Sequence, residues 1–191
     1  MRDRAARYLF FGQLVFFVML TVVYWLLPFS GKALLEHNGI CYFQTFDLTN
    51  VLYLLAFFAV TSSIAVAGWE LTMHGLHRRK LGWGLLAVSV MLLAIAMPPY
   101  YTNDTVHFIH NQIAAGLFVL EGLIAIWLLI QTRGDKILWA LFAIEFVGSI
   151  LAGLTYLHLY DIMFTGEAVA QLAFGLIIVR GVNLLDTIDR R

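Results

Sequence analysis

The chain has 191 residues, of which 61% are hydrophobic and 13% charged, and its mean hydropathy is +0.84. Soluble domains are about 45–50% apolar and about 25% charged, so this composition excludes a soluble globular enzyme and a disordered chain. The net charge of +0 offers no basic field for nucleic acid, and the single cysteine, Cys41, excludes an intramolecular disulfide or a cysteine metal cluster.

Six stretches reach the roughly 20 apolar residues that a membrane-spanning helix needs. The runs are continuous and lack the alternation of barrel strands, which favours helices. The predicted fold is therefore a single all-α domain, an integral membrane bundle of six transmembrane helices. In chain order, the predicted spans cover residues 8–27, 51–69, 81–97, 106–130, 137–157 and 162–179.

The basic residues predict the orientation of these spans. Of the twelve Lys and Arg residues, only Lys32 lies on the side of the first inter-span loop. The positive-inside rule then places both termini in the cytoplasm, as in a multi-pass protein of the cell (inner) membrane. Short basic connections predict that spans two and three, and spans four and five, form antiparallel hairpins.

The side opposite the basic loops is rich in histidine and acid. Its first loop, residues 28–50, is apolar enough to pack over the helix ends as a lid, and Pro98 and Pro99 end span three. This outer side carries His37, Asp47, His107, His110 and His158.

Span four begins with two histidines three residues apart. His107 and His110 share a helix face, and the same stripe continues through Ala114 and Phe118 to Glu121. A face that contacts lipid has no reason to carry such a stripe, so we expect it to point into the bundle.

Three interpretations of the outer cluster stay open. His107, His110 and His158 bind a zinc ion that activates water. Alternatively, the histidines hydrogen-bond helix ends and loops without any ligand. In the third interpretation, a polar lipid headgroup is bound by the outer polar residues, which are His37, Asp47, His107, His110, Asn111 and His158.

Two glutamates lie inside the predicted hydrocarbon region. Glu121 and Glu145 flank the loop between spans four and five, each about 14 Å from it along its helix. Ionisable residues at this depth are functional candidates, here as a proton relay or as the floor of a polar cavity. The alternative is a structural role, with protonated carboxyls tied to Ser, Thr or Gln across helices. Small residues four apart in spans five and six predict close internal packing: Gly148 and Ala152, Ser149 and Gly153, and Gly166 and Ala170.

Two short motifs and one proline resemble a known family. The motifs are His37-Asn38-Gly39-Ile40-Cys41-Tyr42-Phe43 and His110-Asn111-Gln112-Ile113-Ala114 with Phe118, and the proline is Pro98. They resemble the bacterial six-helix family of unknown function that is related to the Frag-type and damage-regulated autophagy modulator proteins. The resemblance implies a lipid-associated membrane protein, with some distant relatives linked to lipid remodelling of membrane anchors. Cys41 departs from the family pattern, which has a small hydroxyl residue there.

The expected function is binding or handling of a lipid-like ligand in an outward-opening polar cavity, with Glu121 and Glu145 at its floor. The alternatives are a metal-dependent intramembrane hydrolase that uses the outer histidines, a proton-coupled small transporter that uses the two glutamates, and an assembly subunit without a site of its own. The expected partners are membrane lipids and a membrane-protein partner or a second copy of the chain, and nucleic acid is not among them.

Overall fold

A computed structural model describes residues 3–45, 47–96, 104–157 and 159–189. Within these residues every regular element is helical and no strand is present. The helices are α1 (Arg4–Leu26), α2 (Phe29–Asn38), a 3-10 helix (Ile40–Thr45), α3 (Asp47–Thr72), α4 (Leu76–Ala96), α5 (Asp104–Gln131), α6 (Lys136–Tyr156) and α7 (Met163–Asp189).

Six of these helices, α1 and α3 to α7, are long and apolar enough to cross a membrane. They confirm the six predicted spans. Large apolar side chains cover their outward surfaces, and more than half of the surface of Phe58, Val90, Val119 and Phe146 is exposed. An exposed apolar surface around the whole bundle is what hydrocarbon solvates, so the fold is that of a multi-pass membrane protein.

The helices extend beyond the apolar runs that predict them. The sixth span was predicted to end at residue 179, but α7 continues to Asp189. Its last turns are polar and bonded: Arg180 donates to Asp135, and Asp186 accepts from Arg78. Hydropathy detects the part of a helix that lies in hydrocarbon, whereas these pairs stabilise the part beyond it.

The bundle has two chemically different ends. At the loop end, α2 and the 3-10 helix lie against α3 and the start of α7, and this segment buries Leu35, Ile40 and Phe43. Burial of these side chains confirms that the first loop packs over the helix ends. The opposite end, called the basic end, holds the α3–α4 and α5–α6 connections and the described chain termini.

Helix α7 lies at the centre and contacts α1, α4, α5 and α6. Helix α6 packs mainly on α7 and has little contact with α5, its neighbour in the chain. A Cβ added to Gly148 of α6 would lie 2.6 Å from the backbone nitrogen of Ala170 on α7. Gly148 and Ala152 of α6 therefore face Gly166 and Ala170 of α7, as predicted from their spacing. The prediction of close packing at Ser149 and Gly153 is wrong, because both line a cleft that α5 and α6 leave between them.

At the basic end a buried arginine fastens three helices together. Arg78, which is 4% exposed, forms ion pairs of 2.6 Å with Asp3 and 2.9 Å with Asp186. Its backbone N–H donates to Asp189, which also pairs with His77 at 2.8 Å. We define Arg78 with Asp3 and Asp186 as the Arg78 clamp, because it joins the starts of α1 and α4 to the end of α7.

Candidate functional site

A cavity of about 390 Å³ lies between α5, α6 and α7, beneath the segment that covers the loop end. We call it the loop-end cavity. Polar groups from four elements meet there, while α5 and α6 also contribute small or apolar residues. Its lining consists of Asn38, Cys41, His110, Asn111, Gln112, Ala114, Ala115, Phe118, Ser149, Ala152, Gly153, Met163 and Glu167.

Hydrogen bonds hold α2 against the start of α7. The carboxylate of Glu36 accepts from the backbone N–H of Thr165 at 3.1 Å and from its hydroxyl at 2.7 Å. His37 pairs with Asp161 at 2.8 Å, but both side chains are more than half exposed, so this pair contributes little free energy. These contacts position the covering segment over the cavity.

Glu167 connects the covering segment to the cavity wall. Its carboxylate accepts from the backbone N–H of Ile40 at 2.6 Å. The chain passes this carboxylate at Gly39, whose φ of +80° ends α2 in a backbone region that favours glycine. A Cβ on Gly39 would lie 2.5 Å from the Glu167 Oε2 atom, so the glycine allows the close approach.

Cys41 lies beside Glu167 at the same place. The hydroxyl of Tyr53 donates to its sulfur at 3.4 Å. Burial, with a smaller contribution from the nearby Glu167 carboxylate, raises the pKa of the Cys41 thiol to about 12. A thiol that stays protonated at neutral pH is a weak nucleophile, so Cys41 is a lining residue and not an activated one.

The predicted stripe on α5 faces the bundle. His110 is 3% exposed, and its ring lies close to the backbone of Ile95 at the end of α4. His107, one turn earlier, is exposed and lies 3.3 Å from the side-chain amide of Asn111. The stripe therefore begins at the surface, lines the cavity with His110 and Asn111, and continues inward to the buried Glu121.

A second, narrower cavity of about 50 Å³ continues from the first toward the bundle centre. The two cavities share Cys41, Ala114, Phe118 and Glu167 as lining residues. The narrower one is otherwise apolar except for Gln171 of α7. The polar lining of the site is thus concentrated near the covering segment.

Gln171 connects this region to the membrane-embedded glutamates. Its amide donates to Glu121 Oε2 at 2.8 Å, and Glu121 interacts electrostatically with Glu145 of α6. Both glutamates are buried, at 1% and 4% exposure, and Glu121 Oε1 and Glu145 Oε2 accept no hydrogen bond from any described residue.

The structure brings some predicted site residues together and separates others. His110 and Asn111 line the cavity, Glu121 and Glu145 lie below it, and His37 pairs with Asp161 at the surface. The side chain of Asp47 and the whole of His158 lie outside the described residues. Among the residues that are described, no group of three or more His, Cys, Asp or Glu is arranged to hold a metal, and the zinc site that includes His158 stays a prediction.

Several cavity residues were not singled out from the sequence. Asn38 was named only within a motif, and Glu167 was not named. The sequence signal for these two residues lies in their combination. The glycine after Asn38 ends α2, and the carboxylate of Glu167, one turn into α7, accepts from the backbone N–H of Ile40, which follows that glycine.

The chain matches no protein-family profile, no curated protein and no solved structure. The resemblance to the Frag-type and damage-regulated autophagy modulator relatives therefore stays a prediction.

Proposed function

We propose that this protein binds a lipid-like amphiphile in the loop-end cavity, with entry from the bilayer between α5 and α6. The observation that carries the proposal is the cavity itself, which combines a polar end under the covering segment with an apolar side. Ala115 and Gly153 are both exposed, and a Cβ added to Gly153 would meet no atom within 4 Å. The side of the cavity between these two helices is therefore open at these two positions.

The lining favours a particular headgroup chemistry. Asn38, Asn111, Ser149 and Glu167 offer hydrogen-bond acceptors, and the described lining contains no lysine or arginine. A phosphate needs basic partners, whereas a hydroxyl, amide or amine group can donate to these acceptors. We infer that the ligand carries a neutral or cationic polar head on an apolar tail.

The same proposal includes the orientation in the cell membrane. The basic end holds the exposed Arg79, Lys80, Arg133 and Lys136, and the positive-inside rule places this end in the cytoplasm. Both termini are then cytoplasmic, and the cavity lies in the outer leaflet.

Two matched glycine substitutions test the binding site. Gly153→Phe projects a ring into the cavity, whereas Gly122→Phe adds the same ring at a glycine of α5 that has equally open surroundings and is not among the cavity-lining residues. Mass spectrometry of the purified protein should find an amphiphile that the first variant loses and the second retains. Equal retention by both variants, with both folded, contradicts the proposal.

A second candidate function rests on the buried carboxyl pair. Two carboxyls without full hydrogen bonding are expensive in hydrocarbon, and a proton relay gives them a use. We therefore keep proton-coupled transport as an alternative. In liposomes with an imposed pH gradient, a pH-sensitive dye should report proton entry that Glu121→Gln abolishes. If Glu121→Leu and Glu145→Leu instead stabilise the protein and leave ligand binding intact, the pair is structural.

A further inference from the structure

The cleft between α5 and α6 contains a second cavity, at the basic end of the bundle. This basic-end groove has a volume of about 450 Å³ and is separate from the loop-end cavity. On α5 and α6, Glu121 and Glu145 lie between the residues that line the two cavities. The groove is lined by Ile126, Leu129, Ile130, Arg133, Gly134, Trp139 and Phe142.

The groove is apolar along its length and basic at its mouth. Ile126 and Ile130 are 43% and 54% exposed, so the apolar walls face the surrounding hydrocarbon. Trp139 packs edge-to-face with Phe142 at 6.4 Å between ring centroids, on the side of α6 that lines the groove. An exposed tryptophan at a helix end is typical of the headgroup level of a bilayer.

The charges at the mouth are not balanced. The only acid in the α5–α6 turn is Asp135, and Arg180 of α7 binds both of its carboxylate oxygens, at 2.9 Å and 2.7 Å. This bidentate hydrogen bonding lowers the pKa of Asp135, and the charge of Arg180 compensates that of the carboxylate. In contrast, Arg133 and Lys136 are exposed and form no ion pair with any described residue.

Lys136 also lies on the groove side of α6. It precedes Trp139 by three residues, and residues three apart share a helix face. Two uncompensated cations therefore lie at the mouth of an apolar groove, at the depth that tryptophan favours.

We propose that the basic-end groove binds one anionic phospholipid, with an acyl chain against Ile126, Ile130 and Phe142 and the phosphate at Arg133 and Lys136. The occupant is chosen by charge complementarity, because a zwitterionic lipid fills the groove equally well but brings a cationic group to two cations. The site is independent of the loop-end cavity, whose lining favours a neutral or cationic headgroup.

Native mass spectrometry of the detergent-solubilised protein can test this site with dioleoyl phosphatidylglycerol and dioleoyl phosphatidylcholine, which share their acyl chains. The unmodified protein should bind the phosphatidylglycerol more tightly. Each charge near the headgroup contributes about 1 kcal/mol, so R133Q/K136Q should weaken phosphatidylglycerol binding roughly 25-fold. Phosphatidylcholine binding should change less than about 2-fold on the same basis.

The matched control is R79Q/K80Q, which removes an arginine and a lysine from exposed positions on α4 at the same end of the bundle. It should leave phosphatidylglycerol binding within about 2-fold, since neither residue lines the groove. Ile126→Trp, which fills the groove, should weaken both lipids alike. Glycerol 3-phosphate, which has no acyl chain, should fail to displace the lipid. Equal losses in R133Q/K136Q and R79Q/K80Q, no preference for phosphatidylglycerol, or displacement by glycerol 3-phosphate overturns the proposal.

Discussion

Replacement of Arg78 by methionine should be among the most destabilising single changes in the protein. The side chain of Arg78 is 5% exposed. Its guanidinium forms ion pairs with Asp3 and Asp186, whose side chains are 10% and 28% exposed. Methionine preserves much of the side-chain length and removes the charge. The change therefore leaves two carboxylates near each other with their shared cation gone.

The magnitude follows from the burial of the partners. Breaking a buried ion pair by removal of one member costs about 3–5 kcal/mol, because the other member is left uncompensated. Asp186 is accessible enough to be rehydrated, so we expect the lower limit, about 3 kcal/mol of unfolding free energy. Arg79→Met is the matched control on the next residue, which is exposed, and should cost less than about 0.5 kcal/mol.

A triple variant distinguishes lost attraction from uncompensated charge. Asp3→Asn and Asp186→Asn, added to Arg78→Met, remove the stranded charges, and asparagine still caps α1 in place of Asp3. The triple variant should therefore be more stable than Arg78→Met alone. Unfolding free energies from denaturant titration in micelles provide the measurement. If Arg78→Met costs no more than Arg79→Met, or if the triple variant costs the sum of its parts, the clamp does not stabilise the fold as argued.

Three further predictions concern packing, backbone and thiol chemistry. Gly148→Ala should destabilise the α6–α7 contact by about 1–3 kcal/mol, since the new Cβ meets backbone atoms of α7, whereas Gly153→Ala on the same helix should be neutral or stabilising in the same unfolding assay. Gly39→Ala should cost more than Gly134→Ala, because both positions have positive φ, at 80° and 93°, but only the first has a carboxylate where the Cβ would lie. Since burial raises the pKa of Cys41 to about 12, its thiolate fraction at pH 8 falls to about 1 in 10,000, and alkylation should be roughly a thousand-fold slower in the folded protein than after denaturation. Labelling of the native thiol at the denatured rate contradicts its burial.

The hydropathy of the sequence predicted the parts of the helices that lie in hydrocarbon. Every span was found because the bilayer selects long apolar runs, and the inward face of α5 was found because a polar stripe has no place against lipid. The ends of the helices were not predicted, because hydrogen bonds and ion pairs between distant residues decide them. Arg78 shows this clearly: counted along the chain it is one of eleven basic residues on one side, yet in space it is a buried link between α1 and α7.

The packing of α6 on α7 could have been predicted from the sequence, but the short connection between α5 and α6 suggested a different neighbour. A short loop suggests that α5 and α6 pack together, yet the matched small residues occur on α6 and α7. Close approach of two helices depends on what both present at the contact, and Gly148 and Gly166 permit it. Loop length limits how far apart two helices begin, and it does not decide which faces meet.

The same packing explains where a ligand can bind. Helices α3 and α4 meet through Gly68 and Gly82, where an added Cβ would lie 2.6–3.0 Å from a carbonyl oxygen of the facing helix, so this contact leaves little space. Because α6 packs on α7, a cleft lies between α5 and α6. The cleft has a cavity at each end, and Glu121 and Glu145 lie between the two cavities along their helices. Buried carboxyl oxygens without donors cost stability in hydrocarbon, and they occur here on α5 and α6, which have little contact with each other. A structural carboxyl would be expected at a tight contact, where neighbouring helices could satisfy it. Glu121 and Glu145 instead lie beside the cleft and line neither of its cavities, so Glu121→Leu and Glu145→Leu decide between a structural and a functional role for them.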